Sequence, residues 1–365
     1  MDFDKIPPRK EIEAVTVYVP GKPIEEVQRE FGLERIIKLA SNENPFGCSP
    51  LAQQAIIREV ENAALYPESL APALAEKLAD RLGLDPDNFI FGNGSEEIIH
   101  MLTRSYISAG NEAIMADVTF PLYKTNVMIE GGVPVIIPLI DGVHNLQGMF
   151  AAITEKTRMI FICNPNNPTG TIVDKGDLLS FIEKVPGNIL IIMDEAYYEY
   201  VQDEAYLETI PLMAKHPNLV ILRTFSKAYG LAGLRIGYGM MQPSVRQELI
   251  KVKEVFNANR FAQAAALASL DDPSFVASCV QKNIAGRKYL EGELNNMGFT
   301  CFPSHTNFLM VKLDRSGDEV FQALLKQGII IRPVGFPNTI RVTIGTEQEN
   351  REFIAAMQKV IWVRN

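Results

Sequence analysis

Short aliphatic segments alternate with longer amphipathic ones through the middle of the chain, and this alternation is the strongest constraint on its fold. The candidate strands are "NFIFG" (88–92), "EAIMAD" (112–117), "VPVIIPL" (133–139), "RMIFIC" (158–163), "ILIIMD" (189–194) and "LVILRT" (219–224). Strands separated by helix-length segments are typical of a mostly parallel sheet with helices on its faces. The sequence therefore predicts an α/β fold, in which the aliphatic runs at 133–140 and 188–193 are buried strands.

The pattern changes near residue 245. The segments "SVRQELIKVKEVF" and "FAQAAALASLD" have apolar residues at helical spacing, and shorter strand patterns follow in "NFLMVKL" and "IRVTIG". A chain of 365 residues is also longer than one hydrophobic core usually supports. We therefore predict a large domain over 41–245 and a smaller α+β domain that combines 246–365 with an N-terminal arm, 1–40.

Composition argues against several classes of function. The formal net charge is −9, so the chain has no electrostatic signature for nucleic acid or an anionic membrane surface. The apolar segments are too short to cross a bilayer, and the charged N-terminus "MDFDKIPPRKEIEAV" does not resemble a secretory signal. Neither the four cysteines nor the four histidines have the spacing of metal ligands. We expect a cytoplasmic protein with free thiols, no metal and no nucleic-acid or membrane partner.

Polar residues follow several of the predicted strands. In open parallel sheets, ligands bind beyond the carboxyl ends of the strands, where helix N-termini present free N–H groups. "GNGSEEIIHMLTRSY" follows the strand "FIF" and fits a phosphate-binding helix start, although an ordinary capped helix explains Gly94 and Ser95 equally well. "NPNNPTG" (164–170) follows "RMIFIC", and its prolines favour an extended Asn167. That loop can hold an amide rigidly over a ligand.

Two further strands end near an acid and an amine. Asp194 follows "ILIIM", with Tyr197 three residues later, and Lys227 follows "LVILRTFS". Each residue alone also fits an exposed turn. Together they point to one edge of the sheet, where a partly desolvated lysine near other cations has a lowered pKa and attacks carbonyls. A lysine nucleophile, an aspartate facing a protonated pyridine and a Ser/Arg phosphate site are the requirements of pyridoxal 5′-phosphate.

These segments resemble a known family in their order and spacing. "YVPGKPIEEV", "LASNENPFG", "FGNGSEEII", "NPNNPTG", "DEAYYEY", "RTFSKAYGLAGLRIGYG" and "IRVTIGT" are similar to blocks of the fold-type I pyridoxal-phosphate aminotransferases, and within them of the histidinol-phosphate aminotransferase family. The resemblance extends from about residue 17 to the C-terminus. It implies a large domain whose mostly parallel central sheet is flanked by helices, together with a smaller α+β domain.

The resemblance also implies roles around the cofactor. Lys227 would bond to the cofactor aldehyde and then move the substrate α-proton, while Asp194 would pair with the pyridine nitrogen. Tyr197 and Asn167 would bind the 3′-oxygen of the ring, and Phe120 would stack on its face. Lys227, Asp194 and Tyr197 form the implied catalytic set. The implied phosphate ligands are Gly94, Ser95, Glu96, Thr224, Ser226 and Arg235.

Further roles concern the substrate and a second subunit. Arg341 matches an arginine that binds a carboxylate or a similar anionic group. Arg332, Tyr18 and Asn44 would complete the pocket for the phosphate of histidinol phosphate and the carboxylates of glutamate. Tyr66 matches a tyrosine that reaches the cofactor phosphate of the neighbouring subunit, which implies a homodimer with shared active sites.

The implied reaction is a step of histidine biosynthesis: imidazole-acetol phosphate and L-glutamate give L-histidinol phosphate and 2-oxoglutarate. Two related activities remain open, those of an aromatic amino-acid aminotransferase and of a threonine-phosphate decarboxylase. A non-catalytic binding protein that keeps the fold is a third alternative, although the presence of both Lys227 and Asp194 argues against it.

Overall fold

The computed structural model of the chain describes residues 6–17 and 21–362. The strands are β1 Ile37–Lys38, β2 Phe89–Gly92, β3 Glu112–Ala116, β4 Val133–Ile137, β5 Thr157–Cys163, β6 Leu190–Asp194, β7 Leu219–Thr224, β8 Gly237–Met240, β9 Thr300–Cys301, β10 Phe308–Lys312, β11 Ile329–Ile330 and β12 Thr339–Thr343. The α-helices are α1 Lys10–Glu13, α2 Ile24–Phe31, α3 Pro50–Glu59, α4 Pro72–Leu82, α5 Ser95–Tyr106, α6 Leu122–Ile129, α7 Leu146–Ala151, α8 Lys175–Lys184, α9 Pro243–Val252, α10 Arg260–Ser269, α11 Pro273–Asn296, α12 Gly317–Leu325 and α13 Glu347–Trp362. None of the helices in the described ranges has the length and apolar character needed to cross a membrane.

Seven strands form the central sheet, in the order β2-β8-β7-β6-β5-β3-β4. The pairs that join β7, β6, β5, β3 and β4 are parallel, whereas β8 pairs antiparallel with both β2 and β7. The strands expected from the aliphatic segments are all present, so the predicted mostly parallel α/β sheet is confirmed. β8 was not predicted, because "GYGM" contains two glycines and no aliphatic run.

Helices cover both faces of this sheet. Successive residues of a strand point to opposite faces: Ile160 and Ile191 belong to one apolar cluster, while Phe161 and Ile192 belong to another. Helices α3, α4, α7, α8 and α10 contribute to the first cluster, and α5, α6 and α9 contribute to the second. The central strands are therefore buried on both faces, as the near-continuous aliphatic run at 188–193 indicates.

β4 is the exception to this burial. It lies at the edge of the sheet beside β3, and its residues Val133 and Ile136 are 47% and 41% exposed. The expectation of a buried strand at 133–140 was therefore wrong. An aliphatic run looks the same in the sequence of a central strand and of an edge strand, because strand order depends on the topology of the whole sheet.

A smaller group of elements follows the central sheet along the chain. β9, β10 and β12 form an antiparallel sheet in the order β12-β10-β9, and β1 pairs in parallel with β11. Ile37 and Leu39 share an apolar cluster with this sheet and with α11, α12 and α13. α10 instead packs with α3 in a cluster of the central sheet that extends to Leu270. The domain boundaries after residues 40 and 245 stay a prediction.

Candidate active site

A cavity of about 390 Å³ opens at the carboxyl ends of β5, β6 and β7. β5 and β6 are in register at Cys163 and Asp194, and both of these residues line the cavity. Residues from the smaller group of elements, among them Arg332 and Arg341, form part of its wall. The predicted site residues that line the cavity are Gly94, Ser95, Glu96, Phe120, Asn167, Asp194, Tyr197, Thr224, Ser226, Lys227, Arg235, Arg332 and Arg341.

The N-terminus of α5 and Arg235 lie together in this cavity, as an anion-binding end. Gly94 precedes the helix with a φ of 80°, and Ser95 is the first helical residue. A Cβ on Gly94 would lie 2.6 Å from Arg235 Nη2, and a Cβ on Gly237 would lie 2.4 Å from the Ser95 nitrogen. Only glycine permits both close approaches. Arg235 Nη1 also donates to Ser226 Oγ at 3.5 Å, so a guanidinium, a hydroxyl and helix N–H groups meet where an anion can bind.

Lys227 reaches the cavity from the loop after β7 and is partly buried. Its Nζ donates a hydrogen bond to the Ser41 carbonyl oxygen at 3.2 Å. Burial, followed by the nearby Arg341 charge, lowers the pKa of Lys227 to about 8, although the Asp194 carboxylate acts in the opposite direction. A neutral, nucleophilic amine therefore forms well below the pH at which an ordinary lysine loses its proton.

Asp194 ends β6 and is only 4% exposed. Its carboxylate accepts hydrogen bonds from the Tyr123 hydroxyl at 2.5 Å and from the Ala196 N–H at 3.2 Å. Burial raises the pKa of Asp194, and these two hydrogen bonds oppose that rise. Tyr123 was not predicted from the sequence. Its only signal is its position three residues after Phe120, and that spacing has no chemical meaning without the fold.

Tyr197 is buried, and its hydroxyl oxygen accepts a hydrogen bond from Asn42 Nδ2 at 2.9 Å. Burial raises the pKa of Tyr197, which keeps the hydroxyl protonated. Asn42 Oδ1 accepts from Thr343 Oγ1 at 3.0 Å, and the Asn42 carbonyl accepts from Asn307 Nδ2 at 3.0 Å. Asn42 has a φ of 56°, which asparagine tolerates better than most residues. It therefore connects Tyr197 to the smaller group of elements.

Asn44 is not among the residues that line the cavity. Its Nδ2 donates to the Ala228 carbonyl at 2.9 Å, and its Oδ1 accepts from the Phe46 N–H at 3.0 Å. These bonds hold the loop 41–47 against Ala228, the residue that follows Lys227. The substrate-binding role of Asn44 stays a prediction. The block "LASNENPFG" indicated Asn44, whereas Asn42 in the same block was not predicted.

Arg341 lies in β12 and is 7% exposed. Its Nη1 donates to Asn167 Oδ1 and its Nη2 donates to the Ala40 carbonyl oxygen, each at 2.6 Å. Arg332 pairs with Arg341 across an antiparallel bridge through two backbone hydrogen bonds. Two arginines thus lie side by side at the cavity, and Arg341 contacts Asn167. Tyr18, the remaining predicted substrate residue, lies outside the described residues.

Tyr66 is not among the residues that line the cavity of its own subunit. Its side chain is 77% exposed and stacks on Phe256, with ring centroids 4.5 Å apart. Ile57, Val60 and Val255 are also exposed apolar residues on the same segments. Exposed apolar side chains in such number favour contact with another protein. The contact of Tyr66 with a neighbouring subunit stays a prediction.

Comparison with known proteins places this geometry in a family. A sequence profile described as "Aminotransferase class I and II" matches residues 34–357. The histidinol-phosphate aminotransferase of Brevibacillus brevis is 48% identical over 357 residues, which are 97% of this chain and 98% of that protein. The protein of the same name from Bacillus subtilis strain 168 is 46% identical over 357 residues, which are 97% and 99% of the two chains.

A solved structure gives the same result for the fold. The crystal structure of histidinol-phosphate aminotransferase from Sinorhizobium meliloti, in complex with pyridoxal 5′-phosphate, has a TM-score of 0.91 and 28% identity, with 98% of both chains covered. The fold type implied by the sequence resemblance is therefore confirmed. The chain belongs to the aminotransferase class I and II family and, within it, to the histidinol-phosphate aminotransferase family.

Proposed function

We propose that the protein is a pyridoxal-phosphate-dependent aminotransferase of histidine biosynthesis, which converts imidazole-acetol phosphate and L-glutamate into L-histidinol phosphate and 2-oxoglutarate. The observation that carries the proposal is the convergence of Lys227, Asp194 and Arg235 on one cavity. The names of the relatives from Brevibacillus brevis and Bacillus subtilis support the choice of substrates. The Sinorhizobium meliloti structure, which contains pyridoxal phosphate, supports the choice of cofactor.

The residues of the cavity fit this cofactor. A Cβ at position 94 would clash with the Arg235 guanidinium, so the close packing of hydrogen-bond donors at this end depends on glycine. A guanidinium, hydroxyls and helix N–H groups in this arrangement match the charge and the acceptor oxygens of a phosphate group. The proposed phosphate ligands are Gly94, Ser95, Glu96, Thr224, Ser226 and Arg235. When bound, pyridoxal phosphate supplies an aldehyde that takes up the substrate amine and a ring that withdraws electrons from the α-carbon.

The chain's own groups then have distinct tasks. The Lys227 amine holds the cofactor and, once released, accepts the α-proton of the substrate and returns it. A pKa of about 8 gives Lys227 a neutral fraction near neutral pH, as a general base requires. The Asp194 carboxylate accepts the ring N–H and balances its charge. Tyr197 and Asn167 bind the ring oxygen, and Phe120 packs on the ring face.

Arg341 and Arg332 are proposed to recognise the anionic groups of the two substrates. Both line the cavity that contains Lys227, and a guanidinium can donate two parallel hydrogen bonds to a carboxylate or phosphate. The hydrogen bond between Arg341 and Asn167 links substrate recognition to the residue assigned to the ring oxygen. Tyr18 and Asn44 remain candidates for the same pocket on the strength of the sequence resemblance.

The enzyme is proposed to act as a cytoplasmic homodimer with shared active sites. Tyr66 lies on exposed apolar segments away from its own cavity, so its phosphate contact requires a second subunit. The four cysteines are free thiols, as is typical of a reducing compartment.

Subunit mixing tests the shared site. A hybrid dimer of Lys227→Ala and Tyr66→Ala chains contains one site with both lesions and one intact site. Each variant alone should be inactive, and equal mixing of the two should therefore restore about a quarter of the wild-type activity. A mixture as inactive as its parts would show that Tyr66 does not serve the neighbouring site.

Turnover assays test the reaction itself. The purified enzyme should transfer the amino group of histidinol phosphate to 2-oxoglutarate. Lys227→Ala should lose this activity by ~10³-fold or more, together with the visible absorbance of the bound cofactor. Lys251→Ala, on the exposed surface of α9, is the matched control and should retain both. Failure to turn over histidinol phosphate, with activity on phenylalanine or decarboxylation of threonine phosphate instead, would overturn the substrate assignment.

A further inference from the structure

Tyr123 is a fully buried residue beside Asp194 for which the sequence resemblance implied no role. Its ring stacks on Phe161 of β5, with centroids 4.6 Å apart and an interplanar angle of 11°. Phe120 meets the same ring edge-on, with centroids 5.4 Å apart. These aromatic neighbours fix the ring and so place the hydroxyl oxygen beside Asp194 Oδ2, to which it donates.

Asp194 is buried, and a buried carboxylate stays charged only when strong donors or cations compensate for the lost water. The titratable groups around Asp194 and Tyr123 are Cys163 on β5, Glu195 and Tyr197 after β6, and Lys227 after β7. Glu195 opposes ionisation of Asp194 and Lys227 favours it. Glu195 is itself paired with Arg223 at 2.8 Å, which reduces its effect.

The hydrogen bond from the Tyr123 hydroxyl, at 2.5 Å, opposes the effect of burial on Asp194. Burial raises the pKa of this carboxyl group, and the Tyr123 hydroxyl, the Ala196 N–H and the Lys227 charge all lower it. A hydrogen bond to the charged form of an acid favours that form. Tyr123 is not among the residues that line the cavity, so its effect on a ligand must pass through Asp194.

We propose that Tyr123 is a positioning residue for the aminotransferase reaction, and that its hydroxyl keeps Asp194 ionised and oriented toward the ring nitrogen of the cofactor. The inference rests on the proposed function, because the ring nitrogen belongs to the proposed cofactor. It predicts that the proton shared by Asp194 and the ring moves toward Asp194 when the Tyr123 hydroxyl is removed.

Three variants of the cofactor-loaded enzyme separate this role from packing. Tyr123→Phe removes the hydroxyl and keeps the ring between Phe161 and Phe120. Tyr206→Phe is the matched control, because Tyr206 is also buried but donates to the backbone carbonyl of Asn164, at 2.9 Å, instead of to a carboxylate. Asp194→Asn is the reference variant, in which no carboxylate faces the ring nitrogen.

Nitrogen-15 NMR of enzyme loaded with ring-labelled pyridoxal phosphate reads the protonation state directly. The resonance of the wild type and of Tyr206→Phe should lie at the position of a protonated ring nitrogen. That of Tyr123→Phe should move toward the neutral position that Asp194→Asn defines. A resonance in Tyr123→Phe identical to that of the wild type would overturn the inference.

The pH profile of kcat provides a second readout that packing alone would not move. Without the Tyr123 hydroxyl the pKa of Asp194 rises, so protonation begins at higher pH and the acidic side of the profile moves upward. At the acidic end kcat should be about tenfold lower than in the wild type, and the deficit should shrink as pH rises. A uniform loss at every pH, as in a purely structural defect, would contradict the proposal.

The NMR result distinguishes a wrong cofactor from a wrong role of Tyr123. If the wild type binds no labelled cofactor, the proposed function and this inference fail together. If the wild type binds it with a protonated ring nitrogen and Tyr123→Phe does the same, only the inference fails.

Discussion

The anion-binding end of the cavity and the ring end, around Asp194 and Tyr197, are built in different ways. At the anion-binding end, the groups come from the short segments 94–96 and 224–226 and from Arg235, and the backbone supplies several donors. At the ring end, each key side chain meets a partner far along the chain. Tyr123 is 71 residues from Asp194, and Asn42 is 155 residues from Tyr197. Both ends join distant segments, since Gly94 and Arg235 also meet at the anion-binding end. The donors of that end are nevertheless recognisable in short stretches of sequence, whereas the partners of Asp194 and Tyr197 become apparent only in the fold.

The largest effect on cofactor affinity is expected from loss of the Arg235 guanidinium at the anion-binding end. Arg235→Ala removes a cation and its charge-assisted hydrogen bonds, so pyridoxal phosphate should bind about 100-fold more weakly. Equilibrium titration of the visible absorbance measures this affinity. Arg104→Ala, on the exposed side of α5, should leave it unchanged. Equal affinities of Arg235→Ala and the wild type would show that the phosphate binds elsewhere.

The next largest effect on cofactor affinity is expected from a change of backbone conformation at Gly94, at the same end of the cavity. Gly94→Ala places a methyl group against Arg235 Nη2 in a backbone conformation with φ of 80°, so cofactor affinity should fall about tenfold. Gly32→Ala is the control for backbone strain, because Gly32 has a φ of 65° and no atom within 4 Å of the added methyl group. It should cost about 1 kcal/mol of unfolding free energy without changing the affinity. A similar loss of affinity in both variants would exclude the steric explanation.

At the ring end, kcat should depend on Asn42, a side chain distant in sequence from Tyr197. Asn42→Ala removes the donor to the Tyr197 hydroxyl, and kcat should fall about tenfold as the tyrosine loses its fixed orientation. Asn42→Gly also lacks the amide but adopts a φ of 56° without strain. The two variants should therefore share the loss of kcat and differ in melting temperature. Retention of wild-type kcat in Asn42→Gly would show that strain, and not the hydrogen bond, matters.

A smaller effect is expected where the two ends meet, at Lys227. The Arg341 charge lowers the pKa of this lysine, so Arg341→Gln should raise it from about 8. The neutral amine then forms only at higher pH, and the rate at which cofactor-free enzyme captures pyridoxal phosphate should reach its plateau at higher pH. Arg315→Gln, at a partly exposed residue paired with Asp314, is the control and should leave this profile in place. A profile that does not move would mean that Arg341 does not influence the amine.

The contrast between the two ends also explains what could be predicted from the sequence. Lys227 and Asp194 were found because each follows an aliphatic strand, and Gly94 to Glu96 because glycine and serine open a helix there. β8 and the exposed position of β4 were missed, since neither has a local signal. Asn42 and Tyr123 were missed for the same reason: their chemistry depends on contacts that form only when distant segments pack.

The central claim is that Lys227 and Asp194 serve one cofactor ring, with the Lys227 amine as its covalent attachment. Borohydride reduction of the cofactor-loaded enzyme, followed by peptide mapping, tests this directly. The account predicts a stable pyridoxyl group on the peptide that contains Lys227, and no labelled peptide in Lys227→Ala. Attachment to a different lysine in the wild type, or no attachment, would contradict it.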